Sequence, residues 1–273
     1  KDGRRCSVAN AYLDPVRTRA NLTIVTGAQV DNIIIENARA TGVIYRQNSA
    51  PVQLEATREV IVSAGTIHSP AILMRSGVGP EAHLREHGID ASVDLPGVGQ
   101  NLREHNTISV AKLVSIPTMS AQLGPFRMVG HLLNYLLRSK GLLTTPAVQV
   151  MAALKSEADL SDPDLILSML PVAVNFDAKG NAVVEQRASF SFGFHVARPQ
   201  SRGEIRLRSA NPSDKPVIDH RLLGRRAVTV CTVAHAHEGG RLRHIDGQRK
   251  HRQHGTADPL QAVARQAHHR LAL

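Results

Sequence analysis

The chain has 273 residues, enough for one large domain or two ordinary ones, and 42% of them are apolar, which allows a buried core. No apolar run approaches the ~18 residues of a membrane-spanning helix, the first residues do not predict a secretion signal, and two cysteines are too few for a disulfide framework or a zinc site. The net charge of +10 invites a nucleic-acid function, but 3% aromatic residues and no Trp leave few side chains for base stacking, so we expect no specific nucleic-acid binding.

The first part of the chain predicts a short helix followed by strands. Residues 5–13 favour the helix, and alternating or continuous apolar residues predict four strands at 21–26, 29–35, 39–46 and 52–56. Period-two alternation is typical of antiparallel strands with one buried face.

A strand-turn-helix unit is predicted from residue 58. Val60 to Val62 form a β-branched run typical of a strand buried on both faces, as in a parallel sheet. Gly65 allows a sharp turn, Ser69 and Pro70 favour a helix start, and Gly77 favours its end. Such a helix start is a natural place for a phosphate. From these residues alone, an ordinary βα connection without a ligand is an equal alternative.

The pattern of predicted elements changes after about residue 106, where strands become the main type. Residues 80–87 predict a second helix and residues 95–105 a loop between domains. After that loop, apolar periodicity predicts strands at 108–114, 148–154, 165–174, 188–197 and 203–208, and an amphipathic helix at 126–137. Together these elements predict an α+β domain with an antiparallel sheet.

Several separated motifs resemble the glucose-methanol-choline (GMC) oxidoreductase family. Residues 65–79, GTIHSPAILMRSGVG, resemble the second signature of that family, and residues 95–105, LPGVGQNLREH, resemble its LPGVGxNLxDH stretch with Glu104 in place of Asp. Residues 5–13, 21–26, 39–43 and 198–209 fit the same order, so the resemblance covers residues 3–224. It is strongest to the bacterial choline and alcohol dehydrogenase branch.

The resemblance implies a fold, a cofactor and a reaction. Members of the family bind FAD and oxidise an alcohol to a carbonyl, with the hydroxyl proton passing to a histidine and the hydride to the flavin. The implied fold is α/β plus α+β, with the latter part of a Rossmann-like FAD-binding domain at 1–105 and a substrate-binding domain at 106–224. Val30, Ser63, Ala64 and Gly65 are the implied FAD contacts. His105 is expected to have a structural or substrate-channel role, His195 is expected to be an interior, hydrogen-bonded residue, and no metal site is expected.

Two motifs of the family do not occur in the sequence. It contains no GxGxxG turn for the FAD pyrophosphate and no HPxGT segment for the catalytic histidine. Residues 225–273 are atypical and basic, with nine Lys and Arg against three Asp and Glu, and resemble a shifted reading frame. We therefore expect a truncated fragment of an FAD-dependent alcohol or choline oxidoreductase that is inactive by itself.

Alternatives and partners follow from these observations. The first alternative is a non-catalytic remnant, and the second is a protein that binds polyanions through the tail at 225–273. The expected partner is a small-molecule alcohol, with an unidentified electron acceptor. A cytoplasmic location is expected, with loose peripheral membrane association if electrons pass to a membrane acceptor.

Overall fold

Alternating apolar residues build the first sheet, an antiparallel three-stranded meander. The computed structural model describes residues 3–176 and 181–222 of the chain. In it, β1 (Ala28–Glu36), β2 (Arg39–Gln47) and β3 (Ala50–Glu55) pair in that order. Two-residue turns join them, and all four turn residues have positive φ, which is the turn that suits the twist of a hairpin. Three of the four strands predicted in this part are confirmed.

Two predicted strands do not form, which corrects the sequence analysis. Residues 21–26 and 60–62 are outside any strand, although both are rich in β-branched residues. Ile24 and Val25 are exposed, and Ile61 has 77% of its surface exposed. A strand is stabilised by hydrogen bonds to a neighbouring strand, so apolar pattern alone does not form one. A helical turn does form within the predicted first helix, at Ala9–Leu13, and is followed by a 3-10 turn at Asp14–Val16.

Two helices follow the meander. They are α1 (Gly65–Arg75) and α2 (Glu81–Glu86), and the short parallel strands β4 (Val78–Gly79) and β5 (Val93–Asp94) pair beside them. The start of α1 lies four residues before the predicted Ser69, and Pro70 is inside the helix. Its end is as predicted, because Gly77 adopts a φ of +81° just beyond it.

Four of the six strands that follow form a second sheet. The strands are β6 (Ile108–Leu113), β7 (Val150–Leu154), β8 (Leu165–Leu170), β9 (Val174–Phe176), β10 (Ala182–Val184) and β11 (Ser189–Val196). The antiparallel sheet has the order β6-β11-β8-β7, and β9 pairs with β10 separately. The helix α3 (Pro125–Arg138) is accompanied by 3-10 turns at Ser120–Gln122 and Leu142–Thr144. The predicted antiparallel sheet is confirmed.

The last described strands return to the first part of the fold. β12 (Glu204–Arg206) pairs with β13 (Val217–Asp219), and Leu102 bridges to Gly203. The chain divides into a first unit, Val8–Glu104 with Gln200–Gly224, and a second unit, His105–Pro199 with the residues up to Ser7. Residues 200–222 thus group with the first unit, whereas the sequence analysis assigned them to the substrate domain. The basic tail at 225–273 lies outside the described residues.

The core of the first unit joins both helices to β12. It is formed by buried apolar side chains: Ala71, Met74, Leu84, Leu102, Ile205 and Leu207. Among the described residues, no helix has the length and apolar character needed to cross a membrane.

Candidate functional site

The start of α1 is open to a ligand. Gly65, its first residue, has a φ of +79°, and a Cβ placed there would meet nothing within 4 Å. Ala64 precedes it without a side-chain hydrogen bond to the helix, and residues 63–68 are exposed. The first amides of a helix carry partial positive charge and need acceptors from outside the helix. This end of α1 is therefore suited to an anionic or polar group.

The four predicted cofactor contacts fall at two ends of α1. Ser63, Ala64 and Gly65 form one exposed segment at its start. Val30 is half-buried in β1, and its carbonyl accepts a hydrogen bond of 3.5 Å from Arg75, the last residue of α1. Since an α-helix rises 1.5 Å per residue, the first and last residues of α1 are about 15 Å apart along its axis.

Arg75 fixes the backbone of β1 where the strand bulges. The pairing with β2 skips a residue between Val30 and Asn32. Arg75 Nε donates to the Asp31 carbonyl at 2.7 Å, and Arg46 Nε donates to Asp31 Oδ2 at 2.8 Å. Asp31 Oδ1 is buried and has no hydrogen-bond partner among the described residues. A buried carboxylate oxygen of this kind is an acceptor left over for a donor from a ligand or water.

Both ends of α1 fit parts of FAD, the cofactor that the sequence resemblance implies. An anionic pyrophosphate suits the uncapped amides at Gly65. An adenine carries an amino donor that suits Asp31 Oδ1 or the Val30 carbonyl beside it. The residues present are thus compatible with an extended dinucleotide.

A second polar cluster lies on α2. His83, Glu86 and His87 follow at spacings of three and four residues, and their ligand atoms lie within 4.8 Å of one another. These residues are not among the site residues predicted from the sequence, although HLREH places two histidines and a glutamate on one helix face.

The hydrogen bonds of His83 favour a structural function over a metal site. The buried Leu207 N–H donates to His83 Nε2 at 3.0 Å, so a neutral ring carries its proton on Nδ1. That Nδ1 lies 3.3 Å from Glu86 Oε2, and Arg206 Nη2 reaches the same carboxylate oxygen at 3.4 Å. Arg206 Nη2 also lies 3.0 Å from Nδ1, a contact between two donors in this tautomer. With both ring nitrogens engaged, the cluster ties α2 to the end of β12.

Two further histidines form a pair in the second unit. The rings of His105 and His195 stack with centroids 4.8 Å apart, and His105 Nε2 lies 3.1 Å from the Ala197 carbonyl. Burial lowers the pKa of His195, and a charge on His105 lowers it further. Burial therefore favours the neutral ring of His195, and our prediction that neither residue is catalytic is unchanged.

Comparisons of the sequence give consistent matches. Residues 1–107 match the family model described as GMC oxidoreductase. An oxygen-dependent choline dehydrogenase of Brucella canis is 41% identical over 220 residues, which are 80% of this chain and 39% of that protein. An uncharacterised GMC-type oxidoreductase of Mycobacterium bovis is 39% identical over 225 residues, covering 81% and 40%. The chain thus spans about two fifths of the length of these relatives.

Solved structures share the fold. A pyridoxine 4-oxidase from Mesorbium loti matches with a TM-score of 0.70 and 24% identity, over 88% of this chain and 43% of that one. A formate oxidase matches with a TM-score of 0.73 and 22% identity, over 82% and 44%. At this level of identity the likeness concerns the fold.

Proposed function

The chain belongs to the GMC oxidoreductase family, and from that membership we propose that it carries part of the FAD site of an alcohol oxidoreductase. The observation that carries the proposal is the exposed, uncapped first turn of α1 beginning at Gly65. It supports binding of a negatively charged group, because the amides there have no acceptor from a capping side chain.

In this proposal, the residues of this chain bind and orient the cofactor. The amides at the start of α1 hold negative charge, and Arg75 keeps the Val30–Asp31 backbone in place at the other end of the helix. FAD, when bound, supplies the acceptor for the hydride removed from the alcohol. The sequence has no HPxGT segment for the catalytic histidine, and the loss of a general base typically costs about 10²–10⁴-fold in rate, so we expect the chain by itself to turn over alcohol poorly.

The substrate class follows from the relatives. The Brucella proteins are named oxygen-dependent choline dehydrogenases, which supports a choline-like or other primary alcohol as substrate and oxygen as electron acceptor. We keep the cytoplasmic location, with loose peripheral membrane association if electrons pass to a membrane acceptor, as part of the same proposal.

The second candidate is that the chain is a non-catalytic remnant. The observation in its favour is the unpaired apolar segment at 60–62, where Ile61 is exposed although its pattern is that of a buried strand. The third alternative, polyanion binding by residues 225–273, falls outside the described residues.

A pair of substitutions at Ala64 tests the cofactor proposal. Ala64→Asp places a carboxylate beside the first amides of α1, whereas Ala64→Asn offers a similar shape without the charge. We expect Ala64→Asp to weaken FAD binding at least about tenfold relative to Ala64→Asn, while both variants keep or raise the stability of the helix. FAD affinity is measured from the change in flavin absorbance or fluorescence on titration, and stability by chemical denaturation.

Two outcomes contradict the proposal. If the full 273-residue chain is folded and does not change flavin absorbance or fluorescence, the non-catalytic candidate replaces it. If Ala64→Asp and Ala64→Asn bind FAD equally, the start of α1 is not the anion site.

A further inference from the structure

Backbone pairing between β6 and β11 stops where two histidines meet. The register ends with Phe194 opposite Ile108, the first residue of β6. Continuing that register by three residues would place His105 opposite Ala197, but the described strands do not pair there. Instead, His105 Nε2 lies 3.1 Å from the Ala197 carbonyl and donates its proton to that oxygen. A side chain thus takes the place of the backbone ladder at this end of β6.

Stacking of two imidazole rings adds to this contact. The rings of His105 and His195 have centroids 4.8 Å apart and planes inclined by 28°. His195 is half-buried in β11, where it pairs with Ile166 of β8, whereas His105 is exposed. Because β8 holds His195 in the sheet, the segment at 105–107 is the side of the contact that is free to move.

Few charged groups of the described residues act on this pair. The nearest ones along the chain and in the sheet are Arg103, Glu104, Asp162, Asp164 and Arg198. Arg103 and Glu104 are exposed, and Arg198 pairs with Asp162 at 3.7 Å. The Asp164 carboxylate accepts two hydrogen bonds from Ser156.

The neighbouring strands add no charge beside the rings. The residues nearest in register are Ile108 of β6 and Ile166 of β8. Burial lowers the pKa of His195, and a charge on His105 lowers it further. The two rings therefore act mainly on each other.

We propose that His105 and His195 form a pH-sensitive clasp, which holds residues 105–107 on the end of β11 while the rings are neutral and releases them when both rings are protonated. Two imidazolium rings at stacking distance repel each other, and burial penalises the charge on His195. His195 binds a proton more readily once residues 105–107 have left, so acid favours the released state below about pH 6.5. The chain enters the second unit at His105, so the clasp controls the mobility of that entry. The inference does not rest on the proposed function.

A spin label at residue 106 measures the mobility of this segment in the full chain. Asn106 is exposed, and Asn106→Cys carries a nitroxide after Cys6 and Cys231 are replaced by Ser. We expect a broad spectrum at about pH 7.5 that gains a narrow, mobile component as the pH falls to about 5.5. The control is a label on Ser213→Cys, exposed in the first unit, whose line shape should stay the same.

Two variants each remove one titrating ring. His195→Phe keeps a flat ring for stacking, and His105→Gln keeps an amide N–H for the Ala197 carbonyl. With either change, we expect the mobile fraction at about pH 5.5 to be at least about threefold smaller than without it. His83→Gln is the matched control, because it removes a titrating ring from the first unit, and the release should persist in it. Circular dichroism shows which variants are folded, and if one is not, the other decides.

Proton NMR measures the coupling of the two rings directly. The Cε1 proton of His195 is identified by its absence from the spectrum of His195→Phe. In His105→Gln the pKa of His195 should rise, because the charge that lowers it has gone. A purely structural contact would not produce this change.

Three results would overturn the inference. The first is a label at residue 106 whose line shape is the same at both pH values, or changes together with that of the control label. The second is a mobile component of equal size with and without His195→Phe and His105→Gln, which means that another group governs the release. The third is a pKa of His195 that does not respond to His105→Gln.

Discussion

Among single residues, His83 is a buried side chain whose charge state depends on the fold. Burial lowers its pKa, a hydrogen bond to Glu86 partly opposes this, and Arg206 and His87 lower the pKa further. Because the pKa of His83 is lower in the folded chain than in the unfolded chain, the unfolded chain binds more protons as the pH falls below about 6.5. Stability of the first unit should therefore be full above that pH and fall as the pH decreases below it.

His83→Gln should remove this pH dependence. An amide oxygen at that position can still accept the Leu207 N–H, but it does not titrate. We expect the variant to show a flatter dependence of the unfolding free energy between about pH 5 and 7. The control is His68→Gln, at an exposed position of the same unit. Equal slopes for the wild type and His83→Gln would show that another group governs acid stability.

Two glycines in one loop, Gly97 and Gly99, differ in the space available for an added Cβ atom. Gly99 has a φ of +81°, its carbonyl accepts the Ile205 N–H at 2.7 Å, and a Cβ there would overlap the Ile205 carbonyl oxygen. A Cβ at Gly97 would meet nothing within 4 Å. Gly99→Ala should cost at least ~1 kcal/mol of unfolding free energy, whereas Gly97→Ala should stay within about 0.5 kcal/mol. Urea denaturation of both variants measures the difference; similar losses would mean that the loop is not tightly packed on β12.

At the level of elements, the docking of β1 on α1 depends on the end of the helix. Ser76 Oγ accepts the Ile33 N–H at 2.8 Å and donates to the Ile72 carbonyl at 2.7 Å, and both hydrogen bonds are buried. Together with Arg75, this hydroxyl fixes the strand that carries Val30. The geometry of this part of the candidate site thus depends on a serine outside it.

Ser76→Ala should loosen this junction. It leaves the buried Ile33 N–H without its acceptor, at a cost of about 1–3 kcal/mol. Chemical denaturation measures the loss, and Ser213→Ala, at an exposed position of the same unit, is the control. If FAD binds, we also expect Ser76→Ala to weaken it, because the Val30 backbone is less firmly held. A stability change as small as that of Ser213→Ala would show that water replaces the hydroxyl.

Across the whole molecule, the sequence predicted best what depends on neighbouring residues in the chain. The alternation in residues 29–55 was sufficient for β1 to β3, since two-residue turns bring each strand directly against the last. The spacing of apolar residues likewise predicted α3. The family resemblance rested on motifs that the sequence shows directly, and the comparisons confirm the family.

Other parts of the fold were settled by contacts between distant residues. The apolar runs at 21–26 and 60–62 have the composition of strands but no paired neighbour, and a strand gains its hydrogen bonds from a neighbour. The partner of His83 lies 124 positions away, so the sequence pattern of α2 could not reveal that its imidazole serves a buried amide. The separation of Val30 from Gly65 along α1 was equally invisible in the resemblance.

By itself, the amino-acid sequence determined the family, the meander, the helices and the amphipathic character of α3, because each follows from residue types at short, fixed spacings. Only the tertiary structure decided which of these elements pair and which way their faces point. The apolar side of α3 illustrates the difference: periodicity defines a face, but what lies next to that face depends on how distant segments pack.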